Sequence, residues 1–159
     1  MTEDEIIRFV AGLPGVRVET ASQESGAPEV AWGDSFVYHD PGQGPDGKPG
    51  TPARMPFVTI VIKDYPGDTV SGVDRPGVFR LNIAVGRERF TELLGYPPAG
   101  YAERADSVDH RSVDRIHPHP VYAAQGWICV MNPGEATAEP VRSLLTEAHA
   151  RAAGRHRAR

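Results

Sequence analysis

The chain has 159 residues, of which 40% are hydrophobic and 24% charged, and its formal net charge at pH 7 is −4. This length and composition predict a single globular domain over residues 1–159 with its own hydrophobic core. The acidic balance gives no support to duplex DNA binding, which usually needs a basic face. The one cysteine, Cys129, excludes an intrachain disulfide and favours a cytoplasmic location. No apolar run reaches the ~20 residues of a membrane-spanning helix, so we expect no membrane association.

The first residues predict a short amphipathic helix over residues 3–12. Thr2 and Glu5 fit a capping box, in which each side chain bonds the backbone N–H of the other residue. Apolar residues then recur at i, i+3, i+4 and i+7, and Pro14-Gly15 ends the pattern. The stripe comprises Ile6, Phe9, Val10 and Leu13.

The middle of the chain predicts strands separated by turns. Alternating or β-branched patterns indicate strands over residues 16–19, 35–39, 57–62, 78–85 and 126–131, with another beginning at 114–116. Residues 39–56 are dense in Pro and Gly and predict a long loop, either a mobile flap or a flexible hairpin connection. A short helix is expected over residues 87–94, with Gly95 as its C-cap.

The last part of the chain predicts a helix over residues 138–153, capped by Thr137 and ended by Gly154, followed by a basic tail over residues 155–159. The predicted fold class is therefore α+β: an antiparallel sheet with the N- and C-terminal helices packed on one face. Arg151 and the arginines of the tail are read as a solvated helix end, with nucleic-acid binding as the alternative.

The segment with the most chemical potential is His117-Pro118-His119-Pro120. In an extended chain the two imidazoles point the same way and could bind a metal, with His110, Asp109 or Asp114 as a third ligand. The alternatives are a structural or surface role, or a ligand pocket in which a histidine donates a hydrogen bond or moves a proton. The prolines place this segment at a sheet edge.

Arg80 and Asn82 share one face of a predicted strand whose other face is apolar. This polar face is either solvated, or concave so that Arg80 can bind a ligand carboxylate or phosphate. Tyr122 and Trp127 belong to the core or form the wall of a pocket on which a flat ligand stacks. Cys129 is expected to be an inert buried thiol, because no cation adjacent in sequence lowers its pKa.

Three segments resemble the MmcQ/YjbR-like proteins, which are small α+β domains with a frataxin-like arrangement. They are Leu13-Pro14-Gly15-Val16 with Trp32-Gly33 and Phe36-Val37, the strand within residues 56–63, and Trp127-Ile128-Cys129-Val130 with the closing helix. Residues 75–82 and 117–122 are similar to those of a group of actinobacterial relatives. The resemblance implies the fold described above and, as an alternative function, a nucleic-acid-binding role.

These observations rank three functions. The first is a small-molecule-binding module of the sequestration or resistance type, and the second is a small, metal-assisted enzyme that uses His117 and His119. The third is a nucleic-acid-binding domain. No cofactor is predicted, because the sequence has no P-loop, dinucleotide fingerprint or paired-cysteine motif. The candidate ligand-binding residues are Arg80, Asn82, His117, His119, Tyr122 and Trp127.

Overall fold

A computed structural model describes residues 1–42, 50 and 52–157. In these ranges the chain forms a six-stranded antiparallel sheet in the order β1-β2-β3-β4-β6-β5. The strands are β1 (Val16–Thr20), β2 (Ser35–His39), β3 (Val58–Val61), β4 (Arg80–Ala84), β5 (Ile116–Pro118) and β6 (Trp127–Met131). The predicted α+β class and antiparallel sheet are confirmed.

The three α-helices of the described ranges are α1 (Glu3–Ala11), α2 (Arg87–Leu94) and α3 (Ala138–Arg157). The capping box of α1 forms as predicted: Glu5 N donates to Thr2 Oγ1 at 3.1 Å, and Thr2 N donates to Glu5 Oε2 at 3.0 Å. Gly95 ends α2 in the left-handed conformation, with φ 82°. No helix in the described part of the chain is long and apolar enough to cross a bilayer.

The predicted end of α3 at Gly154 is wrong. The helix continues to Arg157, and Gly154 is not among the glycines with positive φ. Glycine in a helix costs only about 1 kcal/mol relative to alanine, which a long helix packed on a sheet tolerates. Arg155 therefore lies on α3 and not in a separate tail.

One side of the sheet, here called the helix face, carries the main hydrophobic core. Alternate residues of the central strands point into it, and the apolar stripes of α1 and α3 cover it. Leu81 and Ile83 of β4 are fully buried there, as are Ile6 and Val10 of α1. The apolar alternation predicted the orientation of these residues correctly.

The opposite side, here called the polar face, carries a row of residues paired in register across four strands. The row is Thr59, Asn82, Cys129 and His117, on β3, β4, β6 and β5 respectively. Residues 62–79 fold over the part of this face beside Arg80 and place Val73 against Val61 and Met131 in a small second core. The face is thus covered by a loop segment rather than by a helix.

The Gly- and Pro-rich segment predicted as a flap lies partly outside the described residues, since 43–49 and 51 are not among them. Its ends are close to the sheet, where Ala53 N donates to His39 O at 2.9 Å. The predicted edge position of the His117 segment is confirmed, because β5 pairs only with β6 among the described strands.

Candidate functional site

Arg80 is the centre of a hydrogen-bonded cluster on the polar face. Its Nε donates to Asn82 Oδ1 at 2.9 Å, and its Nη1 donates to Asp68 Oδ1 at 3.0 Å and to Ser71 Oγ at 2.9 Å. Its Nη2 donates to Asp68 Oδ2 at 2.6 Å. The two bonds to Asp68 form the bidentate fork that guanidinium and carboxylate groups favour.

Asn82 connects this cluster to the neighbouring strand. It lies two residues after Arg80, on the same face of β4, and its Nδ2 donates to Thr59 Oγ1 of β3 at 2.9 Å. Because its Oδ1 accepts from Arg80, the amide has a fixed orientation. The predicted pairing of Arg80 and Asn82 on one face is therefore a direct side-chain contact.

The interpretation of this face as solvated is wrong at Arg80 and Asn82, because each is only 2% exposed. Residues 62–79 cover them, and this segment supplies the carboxylate of Asp68. Burial raises the pKa of Asp68, but its bonds to Arg80 and the charge of Arg80 outweigh that effect, so the pKa lies below its ordinary value. The cluster thus contains an ionised, mutually neutralising pair.

His119 contacts the same guanidinium, at 3.4 Å between its Nε2 and Arg80 Nη2. Its other nitrogen, Nδ1, accepts from the backbone N–H groups of Val121 and Tyr122, both at 3.0 Å. Burial, together with the charge of Arg80, lowers the pKa of His119 to about 3, so the ring is neutral at pH 7. A neutral ring that accepts at Nδ1 carries its proton on Nε2. That Nε2–H therefore faces another donor, and not an acceptor.

Two aromatic side chains flank His119. The centroid of the Tyr122 ring lies 5.0 Å from that of His119, and the Trp127 centroid lies 6.4 Å away. Tyr122 is 52% exposed and Trp127 is half-buried. These rings are the part of the cluster that a molecule arriving from solvent meets first.

His117 lies on the same face but has different partners. Its Nε2 is 2.9 Å from Ser112 Oγ and 3.1 Å from the carbonyl oxygen of the same residue, and its ring centroid is 6.2 Å from that of His110. The Nε2 of His110 contacts the hydroxyl of Tyr101 at 3.0 Å, while its Nδ1 is buried without a hydrogen-bond partner among the described residues. Burial lowers the pKa of both His110 and His117.

The metal hypothesis finds no ligand set in the described ranges, where no group of three or more His, Cys, Asp or Glu side chains is placed to hold a metal ion. Asp109, one candidate third ligand, accepts from Arg111 N at 3.2 Å. Asp114, another, accepts from Thr137 Oγ1 at 2.6 Å and from Gly134 N at 2.8 Å. These bonds, that of Thr137 first, lower the pKa of Asp114 to about 2. Asp114 thus fixes the turn that precedes α3.

Cys129 is 1% exposed, and its Sγ lies 3.7 Å from Pro118 O. Burial raises the pKa of this thiol to about 12, so it is protonated at physiological pH. This protonation state agrees with the inert thiol expected from the sequence.

The structure brings Arg80, Asn82 and His119 into contact, with Tyr122 and Trp127 against the histidine. It sets His117 apart, bonded to Ser112. Sequence reasoning missed Asp68 and Ser71, which complete the guanidinium's partners. The sequence held only an indirect indication of these partners: if Arg80 is buried, a carboxylate must lie near it. The two cavities beside α2 are lined by other residues. Apart from His117, the predicted residues form a buried cluster with an aromatic edge.

The fold and the cluster together define the class of protein. It is a small α+β domain whose antiparallel sheet carries helices on one face and a buried Arg–Asp–His cluster on the other. The chain belongs to DUF6194, a family of unknown function whose profile matches residues 1–159. No curated protein and no solved structure matches the sequence.

Proposed function

We propose that this protein is a small-molecule-binding module of the sequestration or resistance type, and that its ligand contacts the cluster at His119. The observation that carries this proposal is the pair of backbone bonds that His119 Nδ1 accepts, because they leave the ring proton on Nε2, beside the Arg80 guanidinium. A buried donor without an acceptor costs about 1–3 kcal/mol. His119 is 3% exposed, so a ligand oxygen must first displace the side chains that cover this group. Once it accepts from the group, it recovers that energy.

The surroundings of His119 define the chemistry of the ligand. Asp68 neutralises Arg80, so the ligand needs an acceptor oxygen, such as that of a carbonyl or phenol group, but no charge. Tyr122 and Trp127 offer aromatic surface beside the histidine, which favours a flat, partly aromatic molecule. The proposed ligand is therefore a small aromatic compound that carries a carbonyl-type oxygen.

The protonation states of the cluster support binding over catalysis. With a pKa of about 3, His119 holds no second proton near neutral pH, and burial also lowers the pKa of His110 and of His117. The Cys129 thiol stays protonated. These groups serve as fixed hydrogen-bonding partners, which is the property that a binding site requires.

Fluorescence of Trp127 tests the proposal. In a Trp32→Phe background, Trp127 is the only tryptophan of the chain. Titration with benzamide, salicylamide and acetophenone is expected to change its emission saturably for at least one compound. If none of the three produces a saturable change, the proposal is wrong.

A matched pair of variants locates the contact. In His119→Asn the amide oxygen takes the place of Nδ1 and keeps the two backbone bonds, whereas the Nε2–H is removed. The affinity should fall about tenfold, the effect of one hydrogen bond. His149 lies on α3 and contacts Pro14 O, away from the cluster. His149→Asn should therefore leave the affinity unchanged. Equal affinities in the two variants would contradict a ligand bond at His119.

We also propose that the domain is related to the MmcQ/YjbR-like proteins, most closely to their actinobacterial relatives, and that it works in the cytoplasm. The support for the relationship is the set of short motifs that begins at Leu13-Pro14-Gly15-Val16 and ends at Trp127-Ile128-Cys129-Val130. An experimental structure superposed on a member of that class tests it, because a different strand order would exclude it. Fluorescent tagging in the native cell tests the location.

A further inference from the structure

A cavity of about 340 Å³ lies where the start of α2 meets the last turns of α3. Three arginines line it, one from α2 and two from α3. Residues 97–99 and a turn that precedes β6 form the rest of the wall. The lining residues include Gly86, Arg87, Gln125, Gly126, Arg151 and Arg155.

Within the described part of the chain, these three arginines lack carboxylate partners such as those of Arg80 and Arg89. Among the described residues, the side chains of Arg87 and Arg155 form no ion pair or hydrogen bond, and Arg151 donates only to Ala84 O, at 3.3 Å. Arg89, two residues after Arg87, instead pairs with Glu92 and Glu147. Burial and the neighbouring charge of Arg155 lower the pKa of Arg151. The cavity thus holds positive charge that the described chain leaves uncompensated.

Gly86 makes room for the Arg151 guanidinium, and Gly126 makes room for the backbone of Gly86. A Cβ on Gly86 would lie 2.4 Å from Arg151 Cζ, and a Cβ on Gly126 would lie 2.9 Å from the carbonyl carbon of Gly86. Both glycines also have positive φ, 84° and 82°, which side chains disfavour. No side chain covers the backbone at Gly86, so the Arg151 guanidinium packs directly against it.

We propose that this cavity is an anion site that takes the phosphate group of a small molecule, held by Arg87, Arg151 and Arg155. The forked guanidinium matches the geometry of phosphate oxygens, and an anion would remove the repulsion between the three cations. The volume is at the lower end of small-molecule sites. A long polyanion fits poorly, because the chain as a whole carries a net charge of −4. A neighbouring cavity of about 440 Å³ shares Arg87 and Arg151 with this site. It also includes Arg89, Glu88 and Glu92, whose two carboxylates offset most of its positive charge.

Binding of inorganic phosphate tests the site. Titration of phosphate against the full chain, at ionic strength held constant with chloride, should broaden the ³¹P resonance and raise the Tm. The Arg87→Gln and Arg151→Gln variants should each bind about tenfold more weakly, the loss expected for one charge-assisted hydrogen bond. Adenosine monophosphate should compete with phosphate for the same site.

The control is Arg89→Gln, which removes an arginine from the same helix that already has carboxylate partners. It should bind phosphate as the unmodified chain does. An equal loss in Arg89→Gln, or no broadening in the unmodified chain, would overturn the proposal. A third arm uses single-stranded thymidine oligonucleotide: binding of the oligonucleotide without binding of phosphate would also overturn it, in favour of a nucleic-acid interface.

Discussion

The helix face and the polar face of the sheet both bury side chains of β4, but by different means. On the helix face, Leu81 and Ile83 are 0% exposed and pack against helices whose apolar stripes are visible in the sequence. On the polar face, Arg80 and Asn82 are 2% exposed, and each polar atom must find a specific partner. Apolar contacts are non-directional and tolerate changes of shape. The polar cluster depends on matching donors to acceptors, with the Nε2–H of His119 as the exception.

The largest effect should come from removing the charge at the centre of the polar face. Arg80→Leu is expected to lower the free energy of unfolding by about 4 kcal/mol, because Asp68 is left as a partly buried charge without a partner. Urea unfolding measures the change. The double variant Arg80→Leu with Asp68→Leu should regain most of this loss, since it removes both charges together.

The matched control for Arg80 is Arg89→Leu, which breaks two ion pairs at an arginine that is 37% exposed. Screening by water makes such pairs worth less than about 1 kcal/mol. A loss at Arg89 as large as that at Arg80 would show that burial is not the origin of the difference.

A cavity on the helix face should have the next largest effect. Leu81→Ala is expected to cost about 3 kcal/mol, because Leu81 is fully buried in the main core. Leu81→Met, which nearly conserves volume, should cost less than about 1.5 kcal/mol. Arg80→Lys should be far less tolerated than Leu81→Met, because lysine cannot reproduce the bidentate fork to Asp68. If both conservative changes were equally mild, the contrast between the faces would fail.

A smaller effect should appear in the pH dependence of the free energy of unfolding, because the polar face holds the buried ring of His119. The pKa of His119 falls from 6.5 to about 3 on folding, so its contribution is complete above pH 6.5 and is lost as pH falls toward 3. Between pH 6.5 and 5 this histidine alone should reduce the free energy of unfolding by about 1.4 kcal/mol per pH unit at most. His119→Asn should lessen the slope accordingly in urea unfolding at several pH values. An unchanged slope would mean that His119 is not a buried neutral ring.

The smallest effect concerns the end of α3. Gly154→Ala should stabilise the protein by about 0.5–1 kcal/mol, because the helix continues through this residue and a Cβ there meets nothing within 4 Å. Thermal unfolding measures the gain. Destabilisation by alanine would instead indicate the helix end that the sequence suggests.

The helix face could be predicted from sequence because the spacing of apolar residues within each helix or strand determines which of them face the core. The spacing of Ile6, Val10, Leu81 and Ile83 is sufficient to orient them, and the caps Thr2 and Gly95 define helix ends within a few residues. Gly154 misled the prediction, since nothing local distinguishes a glycine that ends a helix from one that a packed helix tolerates.

The polar face could be predicted only in part. The period of a strand places Arg80 beside Asn82, and the prolines place His117 at an edge. The partners of Arg80 come from Asp68 and Ser71 in a segment without periodicity, so no pattern predicts their approach. The state of His119 depends on two backbone N–H groups that the turn after Pro120 directs at its ring. Such contacts arise from the tertiary fold and not from residue spacing.

The short strand β5 also affects how copies of this protein meet. It lies at the end of the sheet order, where an unpaired backbone edge can recruit a strand from another molecule. Pro118 has no N–H to offer such a strand, and β5 spans only Ile116–Pro118. This edge is thereby protected against the strand-to-strand aggregation that begins at longer, fully hydrogen-bonding edges. The prolines beside the histidines thus also limit strand pairing between copies at this edge.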